Sequence, residues 1–232
     1  MTPAGQGAGG VALSQNEIES LCTKAARGAG YSWGLAEEAG FATGWLAACG
    51  LDATGLLLAL LTSGPGQDAA PRPTPGHWQS TGQRVLCPIT LGAALTDCAL
   101  LADGPFSQDT QLDPVAAPLL LVPFLTRAAQ LRGRPLMVDW QTGVWQTGRL
   151  HITQCGAFDR IAAASWIGKP NLAMTIRAAP QSKPTALHFE RSEILAIPIA
   201  VLDGLNMLAL RTTVPATETS RRGAGSATPD TD

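Results

Sequence analysis

Between Leu13 and Gly50 the apolar positions recur every three or four residues, and between Arg134 and Thr153 they alternate with polar ones. The first spacing is that of a helix with one buried face, the second that of a strand with one buried face. Ile18, Leu21, Cys22 and Ala25 mark a first helix and leave Glu19, Ser20 and Lys24 to solvent. Ser14 followed by Glu17 is a capping-box pattern, in which hydroxyl and carboxylate each satisfy a backbone N–H of the first turn. Gly28 is expected to end this helix in a left-handed conformation, with Lys24 and Arg27 answering the dipole in the last turn. Ser32 then caps a second helix from about Trp33 to Cys49, with Leu35, Ala39, Ala42, Leu46 and Cys49 on one face and Gly50 as terminator. Gly34, Gly40 and Gly44 each cost that helix about 1 kcal/mol relative to alanine, which implies close approach of another backbone.

Leu51 to Leu61 is apolar on every side and reads as a buried third helix or a strand. Residues 63–83 contain Pro65, Pro71, Pro73 and Pro75 among glycines, and are expected to form a long surface loop. Val85 to Thr90 is a candidate strand, followed by a helix from about Leu91 to Leu101. Leu119 to Val122 is another candidate strand, with Pro123 opening a helix that ends near Gly133. In the alternating region Leu136, Val138 and Trp140 share one face, and Leu150 and Ile152 lie opposite Thr147, Arg149 and His151, so a β-hairpin is expected. Further strand candidates are Asp159 to Ala164, Leu172 to Arg177 and Ala186 to Arg191. Ile199 to Arg211 returns to helical spacing.

The whole pattern predicts an α+β fold: a helical N-terminal half packed on a mostly antiparallel sheet from the C-terminal half. Residues 1–12 read as a flexible lead, 13–215 as one domain, and 216–232 as a polar, disordered tail.

Composition narrows the function classes. The 232 residues include 16 basic and 18 acidic side chains, and no basic run interleaves with aromatics, which argues against nucleic acid as a partner. The five cysteines are widely spaced in mostly apolar surroundings and read as reduced thiols. No apolar run approaches the roughly 20 residues needed to span a bilayer. With no basic N-terminal region before Lys24, a cytoplasmic location is expected.

No Walker loop, nucleophile elbow, zinc-protease motif or dinucleotide fingerprint is present, no metal site is expected, and the sequence identifies no cofactor. Two corners carry candidate chemistry. Lys24 and Arg27 point toward the turn Gly28-Ala-Gly-Tyr-Ser, and Tyr31, Ser32 and Trp33 frame a helix N-terminus able to receive an anion. An ordinary helix–turn–helix corner would show the same residues for capping reasons alone. The second corner is Arg211 with Glu218, Arg221 and Arg222, where paired arginines can hold a carboxylate or phosphate if the tail folds over the body. Glu37 or Glu38 would then be the candidate general base.

The stretches Leu13-Ser-Gln-Asn-Glu-Ile-Glu, Lys24 to Ala39 and Arg211 to Gly225 resemble a bacterial family of unknown function, DUF3726, over nearly the whole chain. That family pattern has an aromatic residue where this chain has Thr213. The resemblance implies a shared site at the two corners and no particular reaction. The leading expectation is therefore a metabolic protein that binds a small anionic metabolite or cofactor between the Lys24–Trp33 turn and the Arg211–Arg222 tail. The alternative is a non-catalytic accessory or partner subunit of a metabolic enzyme. An exposed apolar patch involving Trp140 and Trp145 would favour that alternative.

Overall fold

The computed structural model describes residues 10–64, 70–81, 85–142, 146–180 and 194–212. It is an α+β structure. Strand β1 (Gly10–Ser14) leads into helices α1 (Gln15–Gly28), α2 (Trp33–Ala48) and α3 (Thr54–Ser63); β2 (Arg72–Thr74), β3 (His77–Gln79), α4 (Pro88–Asp97) and β4 (Thr110–Ala116) follow. A 3-10 turn at Pro118–Leu121 then runs into α5 (Val122–Arg132), β5 (Leu136–Thr142), β6 (Gln146–Ile152), α6 (Arg160–Ala164), β7 (Asn171–Ala178), β8 (Ile194–Pro198) and α7 (Ile199–Leu210).

The capping box at the start of α1 is formed as expected. Ser14 N–H donates to Glu17 Oε2 at 2.8 Å, and Glu17 N–H donates to Ser14 Oγ at 3.4 Å. The end of α1 differs from the expectation. Gly28 stays helical, and the left-handed residue is Gly30, at φ +98°. Gly30 N–H donates to Arg27 C=O at 2.9 Å and Tyr31 N–H to Ala26 C=O at 3.0 Å, which is the double closure of a Schellman motif. Gly28 serves packing instead, because a methyl group there would overlap the Leu208 carbonyl of α7. In α2, Gly40 and Gly44 lie against Thr23 and Glu19 of α1, which bears out the inference of close helix approach; Gly34 meets nothing and plays no such part.

Six strands form one sheet in the order β2-β3-β4-β7-β5-β6, antiparallel except for the β3–β4 pair. The hairpin expectation holds for β5 and β6, which pair from Leu136 with Ile152 to Thr142 with Gln146. Leu136, Val138, Leu150, Ile152, Leu172, Met174 and Ile176 are buried in a core shared with the helices. A separate antiparallel ribbon joins β1 to β8, so residues 10–12, expected in a flexible lead, pair with Ala196, Ile197 and Pro198.

Four further local readings are corrected. The Pro/Gly-rich stretch holds the β2–β3 hairpin, in which Pro73 sits on the outermost strand of the sheet, where a missing N–H costs nothing. Val85 to Thr90 is not a strand, because Pro88 opens α4 and only Leu86 bridges to Val115. Leu119 to Val122 lies in the 3-10 turn and the start of α5. Arg160–Ala164 is a short helix, since the Asp159 carboxylate accepts from the Ile161 and Ala162 N–H groups at 3.0 Å. The Ala186 to Arg191 candidate lies outside the described residues. Among the described residues no helix is long and apolar enough to cross a membrane.

Candidate functional site

The first turn was the leading candidate, and its parts are now placed. Tyr31 is buried: as the residue after the left-handed glycine it folds back onto the helix, and its hydroxyl lies 3.4 Å from Cys87 Sγ. That burial raises the phenol's pKa, with Cys87 adding to the effect. Arg27 donates through Nη1 to the Tyr31 carbonyl and places its guanidinium 4.6 Å from the centre of the Trp33 ring. Its Nε is buried without a hydrogen-bond partner. Ser32 caps α2 by accepting from Leu35 N–H at 3.4 Å. Arg27, Tyr31 and Ser32 thus close the corner, and Trp33 stands 67% exposed outside it.

Lys24 points elsewhere. It borders a shallow groove of about 400 Å³ between α1 and α7, with Asn16, Ser20 and Asn206. Arg211 follows the last turn of α7 on a different groove, while Glu218, Arg221 and Arg222 lie outside the described residues. Glu38 holds Arg127 through both carboxylate oxygens at 3.0 Å, and that guanidinium covers the Phe41 ring at 3.8 Å; Glu37 is exposed.

The structure also shows a feature that sequence periodicity missed. Of the twelve residues of α7 only Asp203 and Asn206 are polar, yet its fully buried side chains are Leu205 and Leu208 alone. Ile199 is 49% exposed and Met207 69%. Asp203 and Asn206 share that exposed side, so its apolar surface is made by Ile199, Ala200, Met207 and Leu210 around two polar side chains. Beside it, α3 presents Leu58 and Ala59, and the two helices border an apolar groove of about 440 Å³ from Gly55 to Thr62 and from Gly204 to Arg211. Gly204 allows this approach, because a methyl group there would crowd Leu58. The exposed patch expected to mark a partner surface was placed at Trp140 and Trp145. Trp140 instead packs edge-on against buried Trp166, with ring centres 5.2 Å apart, and Trp145 is outside the described residues.

A third region is the outer face of the sheet. Gln111, Thr175, Asp139 and Arg149 stand in register across β4, β7, β5 and β6. Asp139 accepts from Arg149 Nε at 2.6 Å and Nη2 at 3.3 Å. Arg149 first, with Arg177 adding its charge, holds the Asp139 carboxyl below the usual carboxylate range. Nearby, Asp113 accepts from Ser80 N–H at 2.8 Å and contacts His77 Nε2 at 2.9 Å, which ties β3 to β4. Among the described residues no group of three or more His, Cys, Asp or Glu is placed to hold a metal ion.

No characterised protein matches the sequence. Among solved structures, malate dehydrogenase from Entamoeba histolytica aligns at 11% identity and a TM-score of 0.42, over 57% of this chain and 39% of that one. This chain thus spans well under half of that enzyme, and so loose a likeness assigns neither fold nor activity. The family described as "Protein of unknown function (DUF3726)" matches residues 13–87; the match stops short of the tail, and over α1, α2 and α3 it bears out the resemblance carried by the Leu13 and Lys24 stretches.

Proposed function

We propose that the chain is a non-catalytic partner subunit that docks another protein through the α3–α7 surface. The single observation that carries this reading is the exposed side of α7, where Ile199, Met207 and Leu210 meet solvent around Asp203 and Asn206 and where Met207 borders the apolar groove with α3. An apolar groove between two helices accepts the apolar face of a partner helix or single large side chains from it. Gly55 and Gly204 keep the floor open, and Arg211 stands at the rim, where a charge sets orientation more than affinity. That the partner is a metabolic enzyme is the finer part of the proposal. Tagged full-length protein from its native host is expected to carry a stoichiometric second chain, lost with Met207→Lys. A chain that stays alone at 24.0 kDa would overturn the reading.

A second reading keeps the small anionic ligand. It rests on the exposed Lys24 ammonium in the α1–α7 groove and on the unpartnered Nε of Arg27, three residues further along α1. A thermal-shift series with inorganic phosphate and small carboxylates, run beside Lys24→Ala and Arg27→Ala, tests it. Equal shifts in all three proteins would remove it.

A further inference from the structure

A small cleft opens at the β2 edge of the six-stranded sheet, between the turn that joins β2 to β3 and the loop that leads from α4 into β4. It holds about 220 Å³, below the roughly 300–1,000 Å³ of clefts that take drug-sized ligands. Pro73, Pro75, Trp78, Leu101 and Pro105 make its walls apolar. The loop side is tied by backbone bonds: Leu101 N–H donates to the Cys98 carbonyl at 3.2 Å, and Gly104 N–H to that of Leu101 at 3.0 Å. The turn side is tied by Gln111 N–H, which donates to the Gly76 carbonyl at 2.9 Å. Walls held in this way lose little freedom when a ligand enters.

Two polar groups break this apolar setting, one at each end. Thr110 and Leu112 are buried on β4 while Gln111 between them is exposed, so Thr110 points to the helix-covered side of the sheet, where it lines the cleft. Its hydroxyl is buried without a hydrogen-bond partner. A hydroxyl left unpaired costs free energy that a partner placed in the cleft would recover. At the exposed end stands Asp103, the one charged residue in the lining. Among the described residues no cation forms an ion pair with it. The cations of the adjoining segments are engaged or lie outside the lining: Arg132 covers the Phe106 ring at 5.1 Å, Arg177 stands between Asp109 and Asp139, and Arg72 is exposed on β2.

We propose that this cleft binds a short aliphatic amino alcohol: its ammonium pairs with Asp103 at the rim, its hydrocarbon chain lies between the prolines, Leu101 and Trp78, and its hydroxyl meets Thr110 Oγ1 at the buried end. The unmatched carboxylate selects a cation over an anion. The apolar walls select a hydrocarbon chain over a sugar, and the orphaned hydroxyl selects a chain with a hydrogen-bonding tip over a plain alkylamine. The volume limits that chain to a few carbon atoms. The inference is independent of the α3–α7 surface, with which the cleft shares no residue.

The test is a chemical-shift titration of the full chain, at constant low ionic strength, with 3-aminopropanol, 4-aminobutanol and 5-aminopentanol. Pentylamine, 1,5-pentanediol and 5-hydroxypentanoate are the contrasts that lack the hydroxyl, lack the charge or reverse it. At least one amino alcohol should bind with a dissociation constant of about 1 mM or better, and pentylamine about tenfold more weakly than 5-aminopentanol. Asp103→Asn should weaken the amino alcohol about tenfold. Thr110→Val should bring its affinity down to that of the plain amine, leave pentylamine unchanged, and keep or raise the thermal midpoint, since it removes an unpaired buried hydroxyl. Failure of all three amino alcohols, equal binding of the diol or the carboxylate, unchanged affinity in both variants, or a midpoint lowered by Thr110→Val would overturn the proposal.

Discussion

Helices α1 and α7 cross at one point and end up in opposite situations. At the crossing Gly28 lets the Leu208 carbonyl come close, so each helix buries a face against the other. Where α1 meets solvent it carries Asn16, Glu17, Ser20 and Lys24, a polar surface suited to water. The exposed side of α7 carries Ile199, Ala200, Met207 and Leu210 around Asp203 and Asn206. Both helices satisfy the same internal packing, so packing alone does not explain the apolar side of α7. What distinguishes a finished surface from one awaiting a partner is the composition of the exposed face.

The crossing itself is the most sensitive place to break. Gly28→Ala forces a methyl group into the Leu208 carbonyl and should destabilise the protein by about 3 kcal/mol or prevent folding, as overpacking against backbone does; chemical denaturation measures this. Gly34→Ala is its control, because nothing lies within 4 Å of that position, and it should be neutral or slightly stabilising.

Removing the α1 cap is a smaller change. Ser14→Ala should cost about 1 kcal/mol in the same assay. Its partner Glu17 has a pKa lowered by hydrogen bonds from the Ser14 backbone and side chain. A carboxylate depressed in the folded state stabilises above its unfolded pKa, and that contribution fades as pH falls through the folded value. The cost of Glu17→Gln should therefore be present at pH 7, begin to shrink as pH falls below the ordinary glutamate value of about 4.3, and be gone only below the depressed folded value. A penalty independent of pH would mean that the carboxylate's charge plays no part in the cap.

The smallest effect on stability is expected on α7. Met207→Lys should change folding free energy by no more than about 0.5 kcal/mol, as surface substitutions do. A loss of several kcal/mol would show that Met207 is packed within the chain, and α7 would then be a core helix like any other.

What the sequence revealed follows the range of the interactions involved. The capping box, the β5–β6 hairpin and the polar face of Arg149 and His151 were legible because each rests on residues a few positions apart. Gly28 and Gly30 both suit a helix end, and only the position of α7 decides between them. Asp159 to Ala164 has strand-like apolar content, but one carboxylate closing onto two N–H groups makes it a helix. The helical spacing of Ile199 to Arg211 already marked a side for the core, where Leu205 and Leu208 are buried; that Ile199, Met207 and Leu210 stay exposed on the side of Asp203 and Asn206 became legible only once the neighbours were placed. Likewise the row on the outer face of the sheet needs four strands brought into register from residues 111 to 175. Of the candidate site residues, Arg27, Tyr31, Ser32 and Trp33 share one corner while Lys24 lies in the α1–α7 groove, and the pull of Tyr31 into the core and the capture of Arg27 by its carbonyl depend on Cys87 and the Schellman closure.

The most direct measurement is the mass of the natively purified full chain by size-exclusion chromatography with light scattering, beside Met207→Lys. The account predicts a complex well above 24.0 kDa with a stoichiometric second chain, reduced to the single chain by the substitution. A monomer in both preparations, with equal stability, would contradict it.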